Sequence, residues 1–359
     1  MNFSKKNHEY NTKNYNIMKN TLTILILSTF VLLITSCEKE ETYLLDTVEY
    51  KSQKNIRDYP DFPQFKPVKL KFKRLTKESK MGKFYANKIV EFNGRLWSVG
   101  GYLHGTSYPD RSSEVWSSTD GSNWGLVSNG QFDGRRGHSL TVFDGKMWLI
   151  GGHGNSGFLS DVWFSSDGVQ WTLATNTPAF GQIVGHSTTV FNNKLVVFTI
   201  NNVWQSSDGI NWELMAEDIF TSRFYSELTV FNDKLYLIGG LNGSEAFYNE
   251  IWQSTNGTDW SQVPITSPIF KGMLWFSTAN YKHKLWVIGG LTETNLVPSD
   301  ETIWFSTNMI DWHKYDDPIP APLSRYVHSS LVYQDRVLVF GGISSSGKSG
   351  SIWSFEEAN

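Results

Sequence analysis

Cysteine is all but missing: the chain of 359 residues has one, Cys37. A single cysteine excludes an intramolecular disulfide and leaves no thiol pair for a redox motif or a zinc site. Charge is sparse as well. Lys, Arg, Asp and Glu make up 19% of the chain, and the formal net charge is -3. There is no basic surplus to neutralise a phosphate backbone, so no nucleic acid partner is expected. Long apolar runs are absent but for one, Leu22 to Ile34. It falls short of the ~20 residues that a membrane-spanning helix needs.

That run follows Lys19 and ends in Ile34-Thr35-Ser36-Cys37. A positive start, a short apolar stretch and small residues form an export signal rather than part of the fold. Small residues followed by Cys resemble a bacterial lipobox. The resemblance implies that residues 1–36 are removed and that Cys37 is lipidated as the first mature residue. Met18 offers a second start, so residues 1–17 are either part of the signal or upstream of it. Glu38-Lys39-Glu40-Glu41 is similar to the acidic signals that send some lipoproteins to the outer surface. Residues 37–66 hold two prolines and few apolar clusters, and read as a flexible tether. The chain is therefore expected to be exported and attached to the outer membrane by lipid alone.

What the chain has in excess is aromatic residues, 15% of it, with 15 Trp and 30 Gly. They recur with a period. Two tryptophans eight apart stand at 116/124, 163/171, 204/212, 252/260 and 304/312, and Trp353 opens a sixth unit. Upstream of five of these lies a diglycine: Gly100-Gly101, Gly151-Gly152, Gly239-Gly240, Gly289-Gly290 and Gly341-Gly342. Each unit reads as four strands. In one of them "HSLTVF" alternates, Asp144-Gly145 is a two-residue hairpin turn and "KMWLIGG" is the second strand. "DVWFSS", a second tight turn at Asp167-Gly168 and "VQWTLA" complete the unit.

Arg135-x-x-His138-Ser139, Gly151-Gly152, Asp161-Val162-Trp163 and Trp171 together resemble the kelch repeat. The likeness spans about 70–356 in six copies. It implies an all-β, six-bladed kelch-type β-propeller over residues 67–359, with no second domain. The last unit stops after its third strand at Trp353. Leu70–Leu75 is expected to supply the missing fourth strand, with Phe72 in a tryptophan slot. That closure removes an exposed edge.

In such a ring, one face carries the turns between strands 1 and 2 and between 3 and 4, which vary little here. The other carries the 2–3 loops and the links between blades, which vary much. Function is expected on the variable face. Three residues before each inner strand's His position, arginine occupies alternate blades: Arg135, Arg223 and Arg325. Two readings stand: a ring of guanidiniums at the channel mouth for an anion, or the ordinary kelch arginine bonded within the fold. His138, His186 and His328 read as structural and not as a metal site. One position on, Lys88 and Glu227 interrupt a column of serines and face each other across the axis. Tyr225, Trp275 and Tyr326 are expected at the rim as ligand contacts, and Tyr108 and Phe158 lie on 2–3 loops of the same face.

Two classes of function remain. One is a monomeric binding module without cofactor, taking a glycan, peptide or protein, possible anionic ligands included. The other is a carbohydrate enzyme similar to the kelch propeller of N-acetylneuraminate epimerase, with Glu227 moving a proton. A sialidase-like hydrolase is a minor alternative, because "WSSTDGSNW" (116–124) nearly matches a sialidase Asp-box. The copper chemistry of galactose oxidase, whose central domain is similar, is excluded. It needs a Tyr joined to a Cys, and Cys37 lies in the lipobox.

Overall fold

Four short strands recur in sequence, each too short to bury its faces alone, and the chain solves this by stacking sheets around an axis. The computed structural model describes residues 68–243, 246–267, 269–292 and 303–358. The export segment, Cys37 and the 37–66 tether lie outside the described residues, as does most of the 291–301 loop.

Six antiparallel sheets of four main strands follow one another. Blade 1 holds Lys88–Phe92, Arg95–Val99, Val115–Ser118 and Gly125–Ser128. Blade 2 holds Ser139–Phe143, Lys146–Gly154, Gly157–Ser165 and Thr172–Thr175. Blade 3 holds Ser187–Phe191, Lys194–Thr199, Asn202–Ser206 and Glu213–Ala216. Blade 4 holds Glu227–Phe231, Lys234–Ile238, Ile251–Ser254 and Ser261–Gln262. Blade 5 holds Ser277–Tyr281, Lys284–Ile288, Ile303–Ser306 and His313–Lys314. Blade 6 holds Ser329–Tyr333, Arg336–Phe340 and Ile352–Glu357, and its outer strand is Leu70–Thr76. Each first strand touches the first strand of the next blade, and the strand of blade 6 touches that of blade 1. The ring closes where the sequence places the closure. Phe72 sits opposite Phe355, and Arg74 opposite Trp353.

The core is divided among the seams. Trp124 packs with Phe340 between blades 1 and 6. Trp171 joins Val99 and Leu149 between blades 1 and 2. Trp212 joins Ile150 between blades 2 and 3, and Trp312 joins Ile238 between blades 4 and 5. The second tryptophan of each pair is thus the wedge that binds one blade to the preceding one. The diglycines permit the close approach. A Cβ on Gly101, at φ +81°, would lie 2.4 Å from the backbone nitrogen of Asn87.

The 1–2 turns are two-residue turns in every blade. Both turn residues have positive φ, as at Asp144 (47°) and Gly145 (65°), which is the type I′ geometry. The 3–4 turns are not what the Asp-Gly pairs suggest. Ser117 pairs with Gly125, so seven residues connect the strands, and only Gly121 of the Asp120-Gly121 pair has positive φ. The carboxylate of Asp120 accepts the backbone N–H of Ser122 (2.7 Å) and Asn123 (2.8 Å), and the hydroxyl of Ser118 accepts that of Gly121 (2.9 Å). Trp124 Nε1 donates to the Gly121 carbonyl at 3.2 Å. Burial opposes ionisation of Asp120, but these donors outweigh it and bring the carboxyl down to about 2. The stretch is therefore a hydrogen-bonded turn of Asp-box type that carries a core tryptophan. Blade 5 builds the same turn with Asn308 and Met309, although Met309 lies at φ 68°.

Candidate functional site

The first residues of the inner strands line the axis. Lys88, Ser139, Ser187, Glu227, Ser277 and Ser329 surround one small channel cavity, the column that the sequence comparison across blades picks out. The serines are already engaged. Ser139 Oγ contacts His186 Nε2 at 3.0 Å, and Ser277 Oγ contacts His328 Nε2 at 2.7 Å. Glu227 is half-buried and lines the channel cavity. Burial pushes its carboxyl up from the ordinary range, Lys88 across the channel opposes that, and Thr278 Oγ1 lies 3.4 Å away.

The three histidines hold blades together. Each reaches across a seam, as His138 does to the Val99 carbonyl at 3.2 Å. Burial drives them toward the neutral form, His186 and His328 to about 3. They lie in different seams and act as neutral core polar groups.

Above the channel, the residue two before each inner strand is left-handed in all six blades: Ala86, Gly137, Gly185, Tyr225, Trp275 and Val327. Bulky residues there cost of order 1–3 kcal/mol each, so the surroundings must impose the conformation. Part of the constraint is a chain of backbone hydrogen bonds between equivalent positions of neighbouring blades. Val327 N–H donates to Trp275 (2.9 Å), Ala86 to Val327 (2.9 Å), Gly185 to Gly137 (2.9 Å) and Tyr225 to Gly185 (2.7 Å). Two of these left-handed residues, Tyr225 and Trp275, carry large side chains into the mouth. A Cβ on Gly185 would lie 2.7 Å from the Tyr225 ring, so a glycine is needed beneath it.

The mouth is a cavity of about 620 Å³ on the variable face. Its aromatic lining includes Tyr85, Tyr102, Tyr108, Tyr225, Trp275 and Tyr326. Tyr85 and Tyr102 stack at 4.7 Å, and Trp275 and Tyr326 stack at 5.9 Å with Tyr225 edge-on to Trp275. Lys88 and Arg136 supply the cations of the lining, and no Asp or Glu belongs to it among the described residues. The blade 1 loop is held in place from blade 6. Lys348 donates its ammonium protons to the carbonyls of Gly105 (2.9 Å) and Thr106 (2.8 Å) and to Ser107 Oγ, and lies over the Tyr85 ring.

Lys88, Tyr225, Trp275 and Tyr326 are thus brought together as expected from sequence, with Glu227 one layer below. Arg135, Arg223 and Arg325 are not at the mouth. All three are buried. Arg135 forks onto Asp161 (2.7 and 2.8 Å) and donates to the Gly151 carbonyl (2.9 Å). Arg223 pairs with Glu250, not with Glu227. Arg325 has no acid. It donates to the Gly341 carbonyl at 2.5 Å and to Ser351 Oγ at 3.3 Å, and burial lowers its guanidinium to about 10. The anion-ring reading is overturned: each fork is filled by its own blade, which leaves no face for a ligand. The partners were visible in sequence. The residue two before each third-strand tryptophan is Asp161 in blade 2, Glu250 in blade 4 and Ser351 in blade 6, the blades that carry the arginines. Sequence reasoning also missed Tyr85, Tyr102 and Arg136.

The comparisons agree with this architecture. Residues 226–359 match the family described as KLHDC2/KLHL20/DRC7 Kelch-repeats domain, and residues 134–163 match the Kelch motif. Beta-scruin of Limulus polyphemus is 30% identical over 136 residues, which is 36% of this chain and 14% of that protein. Kelch repeat and BTB domain-containing protein 12 of Danio rerio is 27% identical over 129 residues, 33% of this chain and 20% of that protein. The matches thus span less than a quarter of either relative. Among solved structures, YjhT superposes with a TM-score of 0.61 at 15% identity, over 77% of this chain and 95% of that one. That likeness is one of fold.

Proposed function

From the premise that the chain is a kelch-repeat β-propeller, we propose that it is an exported, lipid-anchored binding module whose mouth cavity takes a glycan. The observation that carries this reading is the pair of stacked aromatic walls, Tyr85 with Tyr102 and Trp275 with Tyr326, around about 620 Å³. That volume lies in the range of small-ligand sites. Tyrosine and tryptophan faces accept the apolar C–H faces of sugar rings, while the tyrosine hydroxyls bond to sugar hydroxyls. The export signal and Cys37 in the sequence support attachment to the outer membrane.

A glycan array probed with the full chain tests the reading. Binding to a subset of glycans that Trp275→Ala abolishes supports it. Binding to peptides alone would replace it with the peptide reading. Cys37→Ser should release the protein from the membrane fraction.

A second reading is a carbohydrate enzyme of the epimerase type. The observation that favours it is Glu227, a carboxyl raised by burial one layer beneath the cavity, as a proton-moving group would be. NMR of anomer exchange in a bound sugar, with wild type against Glu227→Gln, decides it. The sialidase-like reading gains no support: the 116–124 stretch that raised it is a turn carrying the core Trp124, and the three arginines of the alternate blades are occupied by the fold.

A further inference from the structure

Resting on the reading of the mouth as a glycan site, we propose that the glycan is an acidic one, with a sugar carboxylate gripped by Arg136 and Lys88. Arg136 lies in the two-residue strand Arg135–Arg136, which pairs with Gly154 and His153. Successive side chains of a strand point to opposite sides. Arg135 goes into the blade, and Arg136 lines the cavity. Its guanidinium has no hydrogen-bonded or ion-paired partner among the described residues, in contrast to the three buried arginines.

Lys88 stands at the junction of cavity and channel, since it lines both. Its ammonium likewise has no ion-pair partner within the described residues. Its charge is felt there: Lys88 contributes to keeping His138, His186 and His328 neutral. Two cations without hydrogen-bonded or ion-paired partners, in a cavity whose own described lining holds no carboxylate, make a positive field, which Glu227 in the channel below offsets only in part because burial favours its neutral form. Aromatic walls exclude water and lower the local dielectric, which strengthens that field at the ligand.

The shapes of the two groups add chemistry. A guanidinium presents a planar fork that matches a carboxylate, and an ammonium adds a point charge beside it. The stacked aromatics on both sides suit the ring that carries the acid. Further polar capacity exists at the floor, where Asn87 Oδ1 and His328 Nδ1 are buried without partners among the described residues.

The test uses the full chain and a panel of oligosaccharides ending in carboxylated sugars, each paired with its carboxyl-reduced counterpart. The acidic member should bind at least ~10-fold more tightly than the reduced one, in line with a charge-assisted bond, and should weaken as salt rises. Arg136→Gln and Lys88→Gln should each remove the preference while leaving the thermal midpoint near that of wild type. Should Arg136→Gln fail to fold, Lys88→Gln and the salt dependence decide. Equal binding of acidic and reduced members overturns the anion proposal and leaves glycan binding standing. Binding of neither member, with acidic peptides bound instead, overturns both.

Discussion

Arg135 and Arg136 are neighbours in the chain and opposites in role: the first forks onto Asp161 at 2.7 and 2.8 Å inside blade 2, and the second lines the mouth cavity. One register position separates a structural arginine from a candidate binding one. Substitution should separate them too. Arg135→Gln leaves Asp161 without its partner and should cost about 3–5 kcal/mol, the usual penalty for breaking a buried pair. Arg136→Gln removes no hydrogen bond or ion pair among the described residues and should change stability by less than about 0.5 kcal/mol. Chemical denaturation of both variants checks this, and equal losses would contradict the assignment.

The turn at Met309 opposes two effects whose sizes differ. Its φ of 68° favours glycine, and relief of that strain is worth about 1 kcal/mol. Its side chain is fully buried in the seam between blades 4 and 5, and loss of such a side chain costs about 2–5 kcal/mol. Packing should win, so Met309→Gly is expected to lower stability despite restoring the residue found in the other turns. A rise in the thermal midpoint would show that strain dominates.

The closure of the ring is testable by deletion. Removing residues 68–76 leaves Ile352–Glu357 as an uncovered edge, and uncovered edges associate. The shortened protein should be less stable and should form concentration-dependent oligomers in light scattering, whereas the full chain should not. Phe72→Ala keeps the strand but loses its ring contacts with Phe355 and Tyr315. It should cost less than the deletion.

Acid should weaken the seams. His186 and His328 have folded values near 3 against an ordinary value of 6.5. Between those values the unfolded chain binds protons that the folded chain refuses, so stability falls as pH drops from 6.5 toward 3. At pH 5 each histidine should cost about 2 kcal/mol. Glu227 has the opposite sign. Its folded value is raised, so it favours the folded state at low pH, and that advantage is lost as pH rises above the ordinary carboxylate range. Glu227→Gln should therefore stabilise the protein near pH 7 and not at pH 4. Thermal midpoints across pH for wild type, His328→Gln and Glu227→Gln resolve both effects.

The sequence carried the repeat, the type I′ turns, the closing strand and the axial column, because each depends on local residue type at a fixed spacing. Tyr225 and Trp275 were legible because they hold equivalent positions whose blades meet at one mouth, and Tyr326 because it stands one residue before the equivalent Val327. The roles of Arg135, Arg223 and Arg325 were not read from their own slot, since the partner lies 26 or 27 residues downstream. Comparing that slot blade by blade with the one before the third-strand tryptophan would have found it. The 3–4 turn was misjudged for a related reason. Asp120-Gly121 suits a two-residue turn, but the serine at 118 and the amides at 122 and 123 draw the chain into a longer one. Arg136 shares the slot two before the His position with Tyr85 and Tyr326, and comparing that slot across the blades would have placed it at the mouth.

The most direct test of the central claim is hydrogen exchange of the full chain, free and bound to its tightest acidic oligosaccharide. The account predicts slowed exchange at the links that form the mouth, at Tyr85 to Asn87, Arg136 to Gly137, Tyr225 and Trp275. The turns of the opposite face, such as Asn232 and Asp233, should be unaffected. Protection at those turns, with the links unchanged, would contradict it.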